Sequence, residues 1–455
     1  MGEQSPEETV QPGNYVVIEK QNFRKLCKIT EKGTFTLGKE QVQMEDLVNK
    51  PYWTTFKMFP SKISKKHVSL EVALKAETME DIRQGMSSGT DNRSITDDGT
   101  SQKLSKEEIE DLRDAGKSSK EIVTSLISNS TSFATKTEFS QEKYIKKKEK
   151  KYCRYLTMKK PSISMIQEIY FRQDSSKINF LRMDTLSQIL SYSDVRSEGK
   201  FLLYDSGTSG LSAAALLNRI GAGTSGSLTY LYPGNQAQLM LVQAMNYPEE
   251  QLKRMMVANL FTFLRIYHQG EDQIMRELVK KHCHWKKTRE MQTPEEIIPA
   301  KKLKLDKMEE NGVSTEKVDK NDENNEETME RVLNGVCSVP EGFKEPKWFR
   351  ETKNAVSCFK EGKADGLIIV TKEHPFSIVK SLLSFLGMSR PFIIYHCHRE
   401  PLQETYVALK QRKDIVNLRL FSNFFRGYQV LPNRTHPEIM MNDLGGYLLT
   451  GFLVE

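Results

Sequence analysis

The residues best suited to chemistry lie in FLLYDSGTSGL, residues 201–211. An apolar run ends in an acid, followed by Gly, two small polar residues, a second Gly and a helical run. A nucleotide-binding α/β domain begins in this way. Its glycines let the backbone approach a ligand, and its acid stands at the carboxyl end of the first strand.

In a Rossmann-like methyltransferase the corresponding pattern is acid-x-Gly-x-Gly-x-Gly, and an acid on the second strand holds the ribose of S-adenosylmethionine. Asp205 and Gly207 match that pattern. The next two glycine positions hold Ser209 and Leu211, and Gly210 falls one place out of register. A Cβ at Ser209 fills and stiffens the turn, and Leu211 sets a branched chain where the helix must sit close to the ligand. The second strand, LTYLYPG, ends in Tyr232 and Pro233 without an acid. Asp205, Gly207 and Gly210 therefore read as a vestigial motif serving the strand-to-helix turn. No cofactor-binding and no catalytic residue is expected in this chain.

The later strand ADGLIIVTKEHP should deliver an acid or amide at its carboxyl end if the domain abstracts a proton from a base. It delivers Val370, Thr371 and Lys372, while Asp365 stands at the strand's start. Glu373 and His374 are the nearby acid–base candidates, and a plain loop before Pro375 accounts for them. His-Cys-His occurs at 282–284 and 396–398. Each pair of histidines supplies two of the three or four ligands a zinc site needs, so no metal is expected.

A different chemistry is written in EKYIKKKEKKYCR. Lys143, Lys146, Lys147, Lys148, Lys150, Lys151 and Arg154 crowd one short segment, with Tyr144, Tyr152 and Tyr155 between them. Such density repels itself unless a polyanion neutralises it, and each phosphate contact releases counterions. Tyrosines can also stack on unpaired bases. These seven cations are the expected RNA-binding residues.

The elements that must hold these residues follow from composition and periodicity. The chain has 455 residues, 38% hydrophobic and 28% charged, enough for two or three domains. No apolar run approaches the length of a membrane span. The start, MGEQSPEETVQPGNY, lacks the pattern of a secretory signal. Six cysteines without C-x-x-C pairing read as reduced thiols of the cytosol or nucleus. The net charge is +7, and residues 136–160 hold ten Lys/Arg against three Glu, whereas 309–330 hold nine acids against two lysines. Local blocks of this kind speak of partners more than the total does.

Residues 1–12 read as a polar tail. Residues 13–85 alternate apolar and polar with Gly, Pro and Asn in the gaps, as in a small β-barrel. The segment 86–160 reads as a linker and helices. One helix opens with a Ser105–Glu108 capping box and closes on Gly116, and the Lys-rich one runs to Pro161. Residues 161–269 and 346–455 alternate β and α, the pattern of a doubly wound, mostly parallel α/β sheet ending in an antiparallel hairpin. Residues 270–345, rich in Glu, Lys, Asn and Asp, read as a mostly disordered insertion.

These pieces meet in one family. DNRSITDDGTSQKLSKEEI, EIVTSLISNSTSFATKTEFSQEKYIKKKEKKY, INFLRMDTLSQIL and YQVLPNRTHPEIMM followed by GGYLLTGF closely resemble the non-catalytic subunit of the eukaryotic tRNA adenine-N1 methyltransferase. The resemblance runs from about residue 13 to the end, the insertion excepted. It implies a paralogous catalytic partner in a two-plus-two heterotetramer, S-adenosylmethionine held by that partner, and methylation of the T-loop adenosine at tRNA position 58. It also implies an N-terminal barrel, a methyltransferase-like domain without a working cofactor site, and RNA contact at the family's lysine run, Lys143 to Arg154. A nuclear location fits that lysine run. The alternative is a divergent S-adenosylmethionine-dependent RNA methyltransferase active in its own right through Asp205 and Gly207.

Overall fold

The computed structural model describes residues 8–60 apart from 22 and 39, 67–73, 89, 92–93, 101–152 apart from 115 and 116, 154–291, 343–430, 435–439 and 444–455. Most of the first part of the expected linker and helical segment, up to residue 100, the expected helix stop at Gly116, and 292–342 of the expected insertion lie outside them. The chain divides into two units, 1–256 with 362–455, and 257–361.

The first unit opens with seven strands: β1 (Tyr15–Lys20), β2 (Phe23–Lys28), β3 (Thr34–Leu37), β4 (Glu40–Gln43), β5 (Thr55–Pro60), β6 (His67–Ala73) and β7 (Tyr155–Lys159). They pair in the order β2-β1-β7-β5-β6-β4-β3. Period-two alternation turns Phe35 and Leu37 of β3, Val16 and Ile18 of β1 and Leu156 and Met158 of β7 into one buried core. The sheet curls into a nearly closed barrel, its edge strands β2 and β3 near enough for Lys25 Nζ to donate to the Thr36 carbonyl at 3.0 Å.

Strand β7 corrects the sequence reading. The Lys-rich helix stops at Tyr152, and Tyr155–Lys159 sits between β1 and β5, with Met158 opposite Ile18 and Leu156 opposite Phe56. Good helix formers carry the lysine run, but Tyr-Leu-Thr-Met alternates, and the barrel core rewards alternation. The barrel therefore extends beyond residue 85, into the segment assigned to linker and helices.

Three helices lie between β6 and β7: α1 (Lys106–Asp114), α2 (Ser119–Ser128) and α3 (Glu138–Tyr152). The expected capping box is formed, with Glu108 N donating to Ser105 Oγ at 3.2 Å and Ser105 N to the Glu108 carboxylate at 2.7 Å. A second one joins Ser118 and Glu121. The helices share a small core of Ile122, Val123, Leu126, Phe133, Ile145 and Tyr152.

Next come α4 (Ile163–Asp174), α5 (Met183–Tyr192), β8 (Lys200–Asp205), α6 (Leu211–Ile220), β9 (Ser227–Tyr232), α7 (Met240–Ala244), α8 (Glu249–Lys253) and β10 (Met255–Asn259). The second unit holds α9 (Leu260–Gln269), α10 (Asp272–Met291) and α11 (Lys347–Glu361). Phe263 and Phe359 meet edge to face there, 5.8 Å apart. Helix α10 occupies the first part of the stretch expected to be disordered, with Ile274 and Val279 buried.

The chain then returns as β11 (Gly366–Val370), α12 (Pro375–Leu382), β12 (Arg390–His396), α13 (Glu400–Lys410), β13 (Ile415–Phe421), the short pair β14 (Tyr428–Gln429) and β15 (His436–Pro437), and β16 (Tyr447–Leu453). The sheet order is β10-β9-β8-β11-β12-β16-β13. Strands β9, β8, β11 and β12 run parallel, and β16 is antiparallel to both β12 and β13. This is the Rossmann-like, doubly wound sheet with a terminal antiparallel pair that the sequence implies. Strand β11, GLIIV, is buried throughout, as strands covered on both faces are. The order reverses between β8 and β11, which sets a crevice at their carboxyl ends.

Arg154 is tied into the barrel. Its Nε donates to the Met58 carbonyl at 3.0 Å and its guanidinium pairs with Glu40 at 3.2 Å. Replacing Arg154 by Ala should cost about 1–2 kcal/mol of stability, read as a lower Tm, and leave RNA affinity unchanged.

Candidate functional site

The crevice at the ends of β8, β9 and β11 is a cleft of about 240 Å³. Asp205 borders it, yet the residue is only 2% exposed, and its carboxylate is consumed by the turn it belongs to. Oδ1 accepts from Thr208 N at 3.2 Å, and Oδ2 accepts from the hydroxyls of Thr208 and Ser212. Burial pushes the Asp205 pKa up against the pull of those hydrogen bonds. The acid that would face a ligand instead braces the turn between β8 and α6.

The glycines are spent in the same way. Gly207 has φ +101°, and a Cβ there would lie 2.3 Å from Cε and 2.7 Å from Nζ of Lys372. The Lys372 stem thus lies across the turn where a ligand would approach, and its ammonium donates to the Ser176 carbonyl at 3.3 Å. Gly210 has φ +86°, and a Cβ there would come within 2.9 Å of the Gln238 carbonyl. Ser209 takes a left-handed φ of 55°, a conformation costing roughly 1 kcal/mol for a residue with a Cβ. Its hydroxyl anchors to the Lys177 carbonyl at 2.8 Å.

On β9 the ribose-binding position is aromatic: the rings of Tyr230 and Tyr232 stack with centroids 6.2 Å apart. At the end of β11, Glu373 accepts from Ser206, from Thr371 Oγ1 at 2.8 Å and from the Tyr204 hydroxyl at 3.4 Å. Burial draws its pKa upward, but the Ser206, Thr371 and Tyr204 hydrogen bonds outweigh it and hold Glu373 below the usual range. His374 caps α12, its Nδ1 accepting from Phe376 N at 3.4 Å, and its Nε2 meets Glu404 at 2.9 Å. S-adenosylmethionine does not fit these residues. The cleft falls below the roughly 300–1,000 Å³ of ligand pockets, its glycine turn is crossed by Lys372, and β9 ends without an acid. The acids that do line the cleft, Asp205 and Glu373, accept from the protein's own donors.

Among the described residues no three His, Cys, Asp or Glu converge on a metal position. His396 is buried, with Nδ1 accepting from His398 N at 3.0 Å and Nε2 facing the Lys372 carbonyl at 3.3 Å. The side chains of Cys283 and His284 lie outside the described residues.

Helix α3 is more ordered in its faces than its composition suggests. Gln141, Ile145 and Tyr152 are buried along one stripe, and half-buried Lys148 lies in it. Burial, then Lys151 and Lys147, lowers the Lys148 pKa, and its ammonium stands 5.1 Å over the Tyr144 ring. Lys143, Lys146, Lys147 and Lys151 face solvent, with Lys146 3.3 Å from Glu142. The Lys150 side chain lies outside the described residues. The tyrosines expected to stack on bases are committed elsewhere. Tyr152 and Tyr155 are buried, and Tyr144 packs edge to face on Phe133 at 5.3 Å.

One surface was missed from sequence. Between β13 and β16 the chain exposes Phe424 (89%), Phe425, Tyr428, Val430 and Ile439 (88%). The signal was present in FFRGYQV, an apolar cluster outside any strand of the main sheet. Large apolar side chains left in water are what interaction surfaces present.

Replacing Asp205 by Ala takes the carboxylate acceptor from the Thr208 amide and from the Thr208 and Ser212 hydroxyls, which should cost about 2–4 kcal/mol in a melting experiment. Below its Tm, the enzyme complex carrying this variant should turn over at the wild-type rate.

The model of the Gcd10p family matches residues 9–292. The chain is 32% identical to the tRNA (adenine(58)-N(1))-methyltransferase non-catalytic subunit TRM6 of Mus musculus, over 98% of this chain and 88% of that protein. The protein of the same name from Dictyostelium discoideum is 27% identical, over 97% of this chain and 79% of its own. Among solved structures, an S-adenosylmethionine-dependent O-methyltransferase from Thermotoga maritima is similar at 10% identity and a TM-score of 0.45, over 98% of this chain and 95% of that one. At that score the likeness adds nothing to what the strand order shows. One family model spans more than half of the sequence and relatives of a single name span nearly all of it, so the chain belongs to the Gcd10p family of tRNA methyltransferase non-catalytic subunits.

Proposed function

We propose that this chain grips tRNA for a catalytic partner, which holds S-adenosylmethionine and forms N1-methyladenosine at position 58 in the T-loop. The two subunits assemble as a two-plus-two heterotetramer and act in the nucleus. The observation that carries this reading is the contrast between two sites on one chain. The cleft at Asp205 is closed by its own side chains, whereas α3 holds four lysines out to solvent. A subunit without a methyl donor contributes by supplying substrate affinity, and cations spaced along one helix suit a phosphate backbone. The names of the mouse and Dictyostelium relatives support the substrate and the modified position.

Reversing charge at Lys143, Lys146 and Lys147 together should raise KM for tRNA with little change in kcat. The salt dependence of binding should flatten by about one unit for each phosphate no longer neutralised, while the complex still assembles. Wild-type KM and salt slope would refute the proposal.

The exposed apolar segment between β13 and β16 suits the catalytic partner. Replacing Phe424 and Ile439 by Asp should abolish co-purification of the two subunits, measured by size-exclusion chromatography, and leave the Tm of the isolated chain within a few degrees. Intact assembly would exclude this surface as the interface.

A further inference from the structure

The loop before β5 holds Trp53 in an unusual way. The residue is 58% exposed and adopts φ +72°, a genuine outlier for a bulky side chain. Asn49 in the same loop has φ +61°. The loop is pinned at both ends: Asn49 N donates to the Val10 carbonyl at 2.8 Å, Trp53 N to the Met158 carbonyl at 2.6 Å, and Met158 N to the Thr54 carbonyl at 3.0 Å. Inside it, Thr54 Oγ1 donates to the Pro51 carbonyl at 2.7 Å. The barrel thus forces a large ring into water and holds it there, against both the hydrophobic effect and backbone preference. Strain of this kind persists where the surrounding structure over-determines it, and it clusters at binding sites.

The surroundings of the ring identify what it meets. The Lys159 ammonium stands 5.7 Å from the ring centroid and is shared with Glu19 at 2.7 Å. Lys50, in the same loop, faces solvent. Protein interfaces are depleted of lysine, whereas grooves for unpaired nucleic acid combine lysine with an aromatic platform. Met158, which fixes Trp53, lies on β7, the strand that continues from α3. Met158 stands six positions after Tyr152, so the backbone that holds Trp53 lies within roughly 20 Å of the end of the basic helix.

We propose that Trp53 is a stacking platform for an unpaired base of the RNA whose backbone is held by α3. The inference rests on the tRNA-gripping reading above and adds a contact to the bases themselves. It also restores to this surface the aromatic contact that Tyr144, Tyr152 and Tyr155 do not offer.

The test uses the chain assembled with its catalytic partner and fluorescently labelled tRNA transcript, read by anisotropy. Trp53→Ala should weaken binding roughly 10-fold, as loss of one stacked base does, and Trp53→Phe should retain most of the affinity. Trp53→Asn tolerates the left-handed conformation, so its Tm should match or exceed wild type while its affinity falls with that of Trp53→Ala. An unstructured oligonucleotide of about ten residues should lose more affinity than a blunt RNA duplex of equal charge. Wild-type affinity in Trp53→Ala and Trp53→Asn would overturn the inference, as would equal losses on the two oligonucleotides or a loss of subunit assembly. If reversal at Lys143, Lys146 and Lys147 weakens binding and the Trp53 variants do not, stacking alone is wrong. If neither set weakens it, the tRNA-gripping reading fails with it.

Discussion

A buried carboxylate must be satisfied, and much of this molecule's character follows from how Asp205 meets that demand. In a cofactor-binding fold the acid at the end of the first strand belongs to a turn kept open for a ligand. Here Thr208 and Ser212 supply the donors. The turn then closes on itself: Ser209 bonds back to Lys177, Gly207 makes room for the Lys372 stem, and Glu373 is saturated by Ser206, Thr371 and Tyr204. The Rossmann-like sheet is intact while the polar groups at its reversal point bond to one another. That is the physical form of a subunit that keeps a methyltransferase fold and carries no catalysis.

The surfaces outside that cleft carry the opposite arrangement. Helix α3 buries Gln141, Ile145 and Tyr152 and releases Lys143, Lys146, Lys147 and Lys151. Strand β7 follows within the same stretch of chain and locks into the barrel between β1 and β5. The position of the basic face is thereby set by a sheet register and not by a flexible tether. The apolar segment around Phe424 and Ile439 stands apart from this charge in the sequence.

The α/β order, the terminal antiparallel pair, the Ser105 capping box and the broken glycine pattern were legible because each is a local signal. Lys372 was not legible as the residue occupying the glycine turn, since β8 and β11 are neighbours in the sheet but lie far apart in the sequence. The internal contacts of Arg154 and the tyrosines were hidden for a related reason. Lysine density masked the 141–145–148–152 stripe that gives α3 its inner face, and it masked the alternation that makes Tyr155–Lys159 a strand. Trp53 carries no sequence signal beyond its identity; its exposure and its left-handed backbone are products of the barrel.

Strand β7 has a consequence for how the protein is made. Strands β1 and β5 each leave an edge that β7 alone fills, yet β6 ends at Ala73 and β7 begins at Tyr155. On the ribosome the first six strands must wait, with two sticky borders bare, until some eighty further residues emerge. Closure so distant in sequence is slow, and bare strand borders invite pairing with other chains. The nascent chain therefore passes through a period of vulnerability that ends only when the lysine-rich segment has been synthesised, and the same event that seals the barrel orients the basic helix.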